Sequence, residues 1–433
     1  MKTHTRVETI FKNNSAIQKS DQSIVFRLLS SIFEKSITTG RLRVIDVYGG
    51  VHDFGNGAGD RAAIRFHKSS AYWKLLLNPD LYLGEAYMNG DITITEGSIS
   101  DLLDVILKNV PSQGGFVTPT TLALNAVDFC MRHFPQINTP EKSRENVSHH
   151  YDLSSNLYKL FLDHEWQYSC AYFASGKETL EEAQTNKMKL LVKKLLIKPE
   201  HHVLDIGCGW GGLARYIARE TGARVTGVTL SKEQLTYAEN RTREEGLSGR
   251  VKFKLCDYRH LEGVYDRIVS VGMFEHVGID SYQTFFNTVR KRLKEDGVAL
   301  LHSIGRSTIP VATNPWIKKY IFPGGYIPAL SEVIPHVEKS GLILTDLEIL
   351  RLHYAKTLKE WRKRFNEHRS SAQSIYDERF CRMWEFYLAS SEASFKYSGN
   401  MVFHMQLTRD QKAVPLTRDY LYEKYLPGSL NFK

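Results

Sequence analysis

The chain has 433 residues, of which 42% are hydrophobic and 24% are charged, as in a folded protein with a large core. Its formal net charge of +9 suits plain solubility or an anionic partner, either a nucleic acid or an anionic membrane surface. Five scattered cysteines without a C-x-x-C pair argue against a zinc site or a disulfide framework and favour the cytoplasm. The pattern shows neither an apolar secretory signal nor an apolar run near the ~20 residues that span a bilayer.

The first part of the chain is predicted to form a small α+β domain. Residues 1–40 are polar and helix-prone, residues 41–66 indicate short strands with glycine turns, and residues 69–110 are mixed. The segment PSQGGFVTPT at 111–120 has the composition of a linker, and an apolar connector helix, LALNAVDFCMRHF, follows it. We therefore predict a first domain over 1–110, a linker and connector over 111–145, and a second domain over 146–433.

From His202 onward, short strands alternate with helical segments. The strands are rich in Val and Ile and include VLDI, ARVTGVTL, VKFKLC, YDRIVSVG and GVALLHSIG. This alternation predicts an α/β fold with a mostly parallel sheet and helices on both faces. Ligands of such sheets bind beyond the carboxyl ends of the strands, so the residues just after each strand are the candidate site.

The glycine-rich turn after the first of these strands, in VLDIGCGWGG, is typical of a site for a nucleotide-like cofactor. Gly207, Gly209 and Gly212 fit the G-x-G-x-x-G of a dinucleotide site. Gly207, Gly209 and Gly211 equally fit the G-x-G-x-G of an S-adenosylmethionine site. Asp205 stands beside the turn, where its carboxylate would repel a pyrophosphate but suits a ligand with an ammonium and a sulfonium group.

The next two strand ends favour S-adenosylmethionine over NAD. A dinucleotide site needs Asp or Glu about 20 residues after the first glycine, to bind the ribose. The second strand ends instead without an acid, at Thr229, Leu230 and Ser231, with Gln234 one helical turn later. Asp257 follows the third strand and is placed to accept a hydrogen bond from an adenine amino group.

Further along, polar residues follow the later strands and stand in an aromatic-rich stretch, HHYDLSSNLYKLFLDHEWQYSCAYF, at 149–173. Glu275 and His276 lie in MFEHVG, His302 follows the fifth strand, and Cys170 lies in the aromatic stretch. Each has an ordinary structural explanation as a helix cap, a core histidine or a small buried thiol. Two basic stretches, KMKLLVKKLLIK and KTLKEWRKRF, fit either a helix lying on a membrane or a helix packed on the sheet with its lysines in water.

Taken in order, the motifs of residues 149–365 resemble those of the cyclopropane fatty acid synthases. The matching motifs are HYDLSSNLYKLFLD, YSCAYF, VLDIGCGWGG, GVTLSKEQ, DYR, VGMFEHVG, LLHSIG, FPGGYIP and LHYAKTLKEW. LGEAYMNGDITI resembles the smaller N-terminal domain of the members that act on phospholipids. The resemblance therefore implies a lipid- or membrane-associating domain over 1–110 and a catalytic methyltransferase domain over 146–433.

That family adds a methylene unit from S-adenosylmethionine to a cis double bond in a phospholipid acyl chain and forms a cyclopropane ring. The resemblance implies a seven-stranded methyltransferase sheet, a bound bicarbonate ion as the base, and no metal. It further implies a cytoplasmic enzyme held peripherally on the inner face of the membrane. Its partner would be a phospholipid bilayer with unsaturated acyl chains and not a nucleic acid, and the resemblance admits a homodimer.

The resemblance also assigns site residues, motif by motif. The bicarbonate ion would be held by Cys170, Glu275, His302, Ile304 and Tyr354. In this set His302, Tyr354 and the Ile304 amide donate to the ion and Glu275 accepts from it. The cofactor would be lined by Tyr168, Ser169, Asp205, Gly207, Gly209, Gly211, Thr229, Leu230, Ser231, Gln234, Asp257 and Tyr258. Some relatives carry a cysteine, once proposed as catalytic, in the late helix matching FYLASSEASF, where this chain has Ser391; a thiol role there is excluded.

Three alternatives stay open beside the cyclopropane synthase. A methylase on the same scaffold would give methyl-branched or methylene acyl chains, and the sequence does not separate it from the first hypothesis. A small-molecule N-methyltransferase would share the sheet and the Glu-His motif, but the N-terminal domain and the full bicarbonate set argue against it. A non-catalytic lipid-binding protein is disfavoured because the glycine turn and Glu275 are intact.

Overall fold

The computed structural model describes residues 23–109 and 155–422, which form two compact units. Of the described residues, the first unit takes 23–109, 314–316 and 369–398, and the second unit takes the remainder. The predicted linker and connector, with both domain boundaries, lie outside the described residues. Among the described helices, none combines the length and the apolar character needed to cross a membrane.

Strands and helices are numbered here in chain order. The strands are β1 (Arg41–Ile45), β2 (Val51–Phe54), β3 (Arg61–Phe66), β4 (Ile92–Glu96), β5 (His202–Ile206), β6 (Arg224–Thr229), β7 (Val251–Leu255), β8 (Tyr265–Val271), β9 (Leu293–Arg306), β10 (Ile343–Leu350) and β11 (Asn400–Thr408). The helices are α1 (Ile24–Ser36), α2 (Ser70–Leu77), α3 (Pro79–Met88), α4 (Ile99–Lys108), α5 (Ser155–Lys159), α6 (Leu180–Lys194), α7 (Gly212–Thr221), α8 (Lys232–Glu244), α9 (Tyr282–Arg292), α10 (Pro315–Tyr320), α11 (Leu330–Ser340), α12 (His353–Glu367), α13 (Arg369–Ile375), α14 (Glu378–Tyr397) and α15 (Asp419–Tyr422). Short 3-10 turns span Tyr258–His260, Phe274–His276, Ile279–Ser281 and Gln411–Ala413.

The first unit is an α+β fold around a four-stranded sheet with the order β2-β1-β3-β4. Helix α14 packs on α3 and α4, and so it belongs to this unit, although the sequence placed residues 146–433 in one catalytic domain. Gly84 of α3 permits this packing, because a Cβ there would lie 2.7 Å from the ring of Phe386 on α14. Ser391 lies on α14 and is therefore part of the first unit.

The second unit contains the predicted seven-stranded sheet, with the order β10-β11-β9-β8-β5-β6-β7. Strands β7, β6, β5, β8 and β9 pair in parallel, and β11 runs antiparallel to both β9 and β10. The apolar side chains of one face pack against α9 and α11, and those of the other face pack against α6, α7 and α8. The α/β fold class and the mostly parallel sheet are thus confirmed, and the carboxyl ends of five strands share one edge.

The two basic stretches differ in structure: α12 is a packed helix with its lysines in water, as one of the two readings expected, whereas α6 buries two of its lysines. On α6, Lys187 and Lys194 are 0% and 1% exposed, so two of its lysines point into the protein instead of toward water or lipid. On α12, Trp361 and Phe365 are buried and Lys356, Lys359 and Lys363 are exposed, so its apolar face is already used in packing. The burial of two lysines is costly unless they are paired. Lys187 is hydrogen-bonded at the candidate site described next, and Lys194 forms an ion pair with Glu348.

Candidate active site

A cleft opens at the carboxyl ends of β5, β6 and β8, where a doubly wound sheet binds its ligand. Most of the residues predicted to line the cofactor lie on its wall. They are Tyr168, Ser169, Asp205, Gly207, Gly209, Thr229, Leu230, Gln234, Asp257 and Tyr258. Gly211 and Ser231 are not on the wall, and their roles are structural.

The glycine turn between β5 and α7 gives the cleft its floor. Gly207 and Gly209 have φ angles of +78° and +53°, which side chains rarely adopt. A Cβ on Gly209 would meet no described atom within 4 Å, and since this residue lines the cleft, the atom would take up ligand space. A Cβ on Gly211 would instead meet Ala238 at 2.8 Å and Phe253 at 2.6 Å, so Gly211 permits close packing of the turn.

Asp205 is the acidic group of the cleft. It is 1% exposed, and its Oδ2 atom has no hydrogen-bond partner among the described residues. Burial raises the pKa of Asp205 to about 7, and the nearby Lys187 ammonium opposes that shift. A buried carboxylate oxygen without a donor is costly, and a cationic ligand would relieve that cost. The residues present therefore fit the ammonium-bearing S-adenosylmethionine that the sequence favoured.

Lys187 of α6 organises one wall of the cleft. Its Nζ atom donates to Gln167 Oε1 at 2.6 Å and to Ser169 Oγ at 2.8 Å, and both acceptors line the cleft. Burial lowers the pKa of Lys187 to about 8, while Asp163, Cys170 and Asp205 oppose the shift. Sequence reasoning missed this residue, because a lysine in a basic amphipathic helix carries no mark of burial.

The end of β6 shapes the second wall. The Thr229 hydroxyl donates to Gln234 Oε1 at 2.8 Å, and both residues line the cleft with Leu230. Ser231 caps α8, because its Oγ accepts from the Gln234 amide at 3.2 Å. Thr229 and Gln234 thus present a preset polar pair at the place where a dinucleotide site would hold an acid.

Asp257 and Tyr258 follow β7 on the same wall. The Asp257 carboxylate accepts from the Arg259 guanidinium at 2.8 and 2.7 Å, and from the Arg259 amide at 2.9 Å. These bonds lower the pKa of Asp257 although burial opposes the shift, so the group is ionised and rigid at neutral pH. Its predicted bond to an adenine amino group would use a remaining lone pair of that held carboxylate.

Aromatic rings enclose the rest of the cleft. Tyr168 stacks on Trp361 with ring centroids 5.1 Å apart, and Trp166 stacks on Tyr237 at 4.3 Å. Trp166 has a φ angle of +55°, which is uncommon for a bulky residue and is concentrated at functional sites. Trp166 and Trp210 also line the cleft, and neither was predicted, because aromatic density alone does not say which ring faces a ligand.

Glu275 and Ile304, both from the predicted ion-binding set, are hydrogen-bonded to each other. The Ile304 amide donates to Glu275 Oε1 at 2.6 Å, so this amide positions Glu275, whereas the resemblance had it donating to the ion. The Oε2 atom of Glu275 is buried without a hydrogen-bond partner in the described parts of the chain. Burial raises the pKa of Glu275 to about 7, against the opposing Ile304 bond.

The other members of the set are buried or partly buried in the same unit. His302 Nδ1 lies 2.7 Å from His404 Nε2 across the β9–β11 pair. The Cys170 thiol is fully buried, donates to the Ala171 carbonyl at 3.4 Å, and has its pKa raised by burial. Tyr354 is half-buried and meets Trp361 edge-on at 5.8 Å, on the same indole that stacks with Tyr168. The use of these five residues as an ion site stays a prediction.

The fold and the cleft together define a class of enzyme. A seven-stranded sheet with one antiparallel strand carries a glycine turn after its β5 strand, and a buried unpaired carboxylate stands beside that turn. A cleft of this construction belongs to an S-adenosylmethionine-dependent methyltransferase.

Comparison with known proteins gives the family. The model of the mycolic acid cyclopropane synthetase family matches residues 138–405, and that of a domain of unknown function (DUF7884) matches residues 28–115. The chain therefore belongs to the mycolic acid cyclopropane synthetase family, and the predicted resemblance is confirmed.

Individual relatives agree with this assignment. The chain is 38% identical over 338 residues to the cyclopropane-fatty-acyl-phospholipid synthase of Escherichia coli (strain K12), which covers 77% of this chain and 85% of the relative. It is 35% identical over 350 residues to a tuberculostearic acid methyltransferase of Mycobacterium tuberculosis, and the match covers 76% of this chain and 78% of the relative. The crystal structure of the mycolic acid cyclopropane synthase CmaA1 complexed with SAH and CTAB matches with a TM-score of 0.59 and 32% identity, covering 61% of this chain and 97% of that one.

Proposed function

We propose that this enzyme transfers a methylene unit from S-adenosylmethionine to the cis double bond of an unsaturated phospholipid acyl chain and closes a cyclopropane ring. The observation that carries the proposal is that the second unit contains two buried carboxylates, at two different sites. Asp205 stands at the cofactor cleft and Glu275 stands at the predicted base site, and each has an oxygen without a partner among residues 23–109 and 155–422. The name of the Escherichia coli relative supports a phospholipid as the substrate.

The chemistry of the reaction sets what the site has to do. The π electrons of the alkene form a bond to the methyl carbon, the C–S electron pair stays on sulfur, and a positive charge remains on the second alkene carbon. A proton then leaves the new methyl group, and the electrons of that C–H bond close the ring. The base therefore acts only after the cation exists, and it must not itself be a strong nucleophile.

The residues of the cleft suit the first step, the transfer of the methyl group. Bound S-adenosylmethionine supplies the sulfonium methyl group. The Asp205 carboxylate would hold the cationic end of this cofactor, and the glycine turn would let the backbone approach it closely. The aromatic rings around the cleft would shield the reacting groups from water, and their π faces would stabilise a nearby cation by about 0.5–2 kcal/mol for each contact.

The predicted base site suits the second step, the removal of a proton from the new methyl group. Bicarbonate supplies a weak base with an O–H group that Glu275 can hold. Glu275 is already oriented by the Ile304 amide, and its unpartnered Oε2 can accept that O–H. His302 and Tyr354 are the donors proposed for the other oxygens. Cys170 does not compete as a nucleophile, because burial raises its pKa and keeps it a thiol.

One alternative product has support of its own. A relative at 35% identity is named a tuberculostearic acid methyltransferase, and that name mentions no ring formation. The same cation would then take another course and give a methyl-branched or methylene acyl chain. The two outcomes share the cofactor cleft and differ only in where the cation loses its charge.

The product decides between these outcomes. Incubation of the protein and S-adenosylmethionine with vesicles of a cis-monounsaturated phospholipid should give acyl chains heavier by one CH₂. These chains should take up no hydrogen under mild catalytic hydrogenation, because the ring carries no double bond. A product that takes up hydrogen, or methylation of amines with no change in the lipid, would overturn the proposal.

We further propose that the first unit docks on the bilayer. Its surface exposes six large apolar side chains that are 45–70% exposed, namely Ile24, Leu28, Tyr48, Val51, Trp73 and Leu77. They belong to neighbouring elements, since Phe26 of α1 packs at 4.9 Å on both His52 of β2 and Tyr72 of α2. The chain's net charge of +9 complements an anionic lipid surface. This surface supports peripheral attachment to a membrane, and the inner face is the location that we propose for it.

Vesicle sedimentation tests the docking surface. Wild-type protein should bind anionic vesicles more tightly than zwitterionic ones. Added salt should weaken binding, because it shortens the Debye length, which is ~8 Å at physiological ionic strength, and so screens the attraction. The double substitution Trp73→Glu and Leu77→Glu should weaken binding by at least about tenfold, because two apolar anchors are lost. Val264→Glu, which alters a residue of the second unit that is 54% exposed, should bind as wild type. Binding that ignores these changes, lipid charge and salt would contradict the proposal.

A further inference from the structure

A chain of buried polar groups lies behind His302. His302 Nδ1 is 2.7 Å from His404 Nε2, and His404 Nδ1 is 3.3 Å from Lys194 Nζ. Lys194 in turn forms an ion pair with Glu348 Oε2 at 2.5 Å. Lys194, His302 and His404 are each 1% exposed, while the Glu348 side chain is 31% exposed. This series of polar side chains thus leads from the protein surface at β10, through α6 and β11, to β9.

The protonation of each group follows from its neighbours. Burial, Lys187 and Lys194 lower the pKa of His302 well below its usual value, and the same causes act on His404, together with His302 and His353. Both histidines are therefore neutral and carry one proton each. Burial lowers the pKa of Lys194, and the ion pair with Glu348 opposes that shift. An ammonium group has donors only, so the nitrogen that faces it must accept.

We propose that Lys194 and His404 are positioning residues that hold His302 in the tautomer with its proton on Nε2. Lys194 donates to His404 Nδ1, which leaves the His404 proton on Nε2. That proton is donated to His302 Nδ1, which leaves the His302 proton on the opposite ring nitrogen. His302 thereby presents a fixed N–H donor away from His404, which is the form needed to hold an anion oxygen.

This inference rests on the proposed function, because only there does His302 face the base. Its structural part stands apart from that function: the tautomer is fixed whether or not an anion is bound. Sequence patterns do not reveal this arrangement, since His404 and Lys194 lie far from His302 along the chain and each fits an ordinary core or surface role.

The tautomers can be measured directly in the full chain. Two-bond ¹H–¹⁵N correlation spectra separate protonated from unprotonated ring nitrogens, and the variants His302→Gln and His404→Gln assign the two signals among the 16 histidines. In bicarbonate-free buffer, wild type should show both rings protonated on Nε2. Lys194→Met should turn both signals into tautomer mixtures, Lys194→Arg should keep the wild-type spectrum, and Lys189→Met, on the exposed side of the same helix, should change nothing. A wild-type His302 protonated on Nδ1, or a Lys194→Met spectrum like wild type, would overturn the proposal.

If the Lys194→Met protein fails to fold, a second pair of variants tests the same proposal. His404→Gln keeps an amide donor for His302 Nδ1 and should preserve the His302 tautomer, while His404→Phe removes the donor and should release it. Turnover should fall roughly ten- to a hundredfold where the tautomer is released, the effect of one charge-assisted hydrogen bond, with unchanged affinity for S-adenosylhomocysteine. Released tautomers with unchanged turnover would leave the tautomer assignment intact and instead contradict the role of His302 in the proposed function.

Discussion

Replacing Gly209 by Val should weaken the binding of S-adenosylhomocysteine by at least about a hundredfold, or about 2.7 kcal/mol. Gly209 lines the cleft, and its missing Cβ faces space with no described atom within 4 Å. The valine side chain would fill space that the cofactor needs. Calorimetric titration with S-adenosylhomocysteine measures the loss, and a parallel titration with NAD should show no binding in wild type.

The backbone strain of this substitution needs its own control. Gly246 has a φ angle of +68°, and a Cβ there would also meet no described atom within 4 Å, but it is exposed and away from the cleft. Gly246→Val therefore carries similar strain, of order 1–3 kcal/mol, without touching the ligand. It should bind S-adenosylhomocysteine as wild type does. Equal binding by Gly209→Val and wild type, or tight binding of NAD, would contradict the assignment of the cleft.

Replacing Glu275 by Gln should lower turnover roughly ten- to a hundredfold while cofactor affinity barely changes. A glutamine can keep its oxygen on the Ile304 amide, so the substitution exchanges only the unpartnered Oε2 acceptor for a donor. The held ion would be misoriented or lost. Steady-state kinetics with vesicle substrate, alongside titration with S-adenosylhomocysteine, separate the two effects. Removal of carbon dioxide from the buffer should slow wild type and have much less effect on E275Q.

Stability provides the control for this variant. Burial raises the pKa of Glu275 to about 7, so the folded state binds this proton more tightly than the unfolded chain. Its favourable contribution is present at low pH and is lost as the pH rises through about 7. E275Q carries a neutral group at every pH and should unfold thermally at or above the wild-type temperature at pH 8. Glu262→Gln, at an exposed carboxyl, should retain full turnover. A wild type indifferent to bicarbonate, with an E275Q variant unable to bind cofactor, would place Glu275 in the cofactor site instead.

Local patterns in the sequence predicted the sheet and the cofactor cleft. The strands β5 to β9 are short apolar runs, and their ends necessarily meet at one edge of a parallel sheet. Gly207 and Gly209 were found because a turn that needs positive φ selects glycine, and Asp205 because it adjoins that turn. These signals lie within a few residues of one another along the chain.

Features that depend on distant contacts were not predicted. Lys187 and Lys194 look like surface residues in a basic helix, and only the packing of α6 shows that they are buried. His404 becomes important through strand pairing with His302, about which its own surroundings say nothing. Helix α14 likewise follows the catalytic strands in sequence, yet it packs in the first unit because α3 and α4 offer the apolar surface it needs.

The most direct test of the central claim is isotopic analysis of the lipid product. The protein would be incubated with unsaturated phospholipid vesicles and S-adenosylmethionine carrying a trideuterated methyl group, and the acyl chains analysed by mass spectrometry before and after hydrogenation. Ring closure requires the loss of one hydrogen from the transferred methyl group, so the account predicts chains that keep two deuterium atoms and take up no hydrogen. Chains that keep all three deuterium atoms, as a methyl branch would, or that take up hydrogen, as a methylene group would, would contradict it.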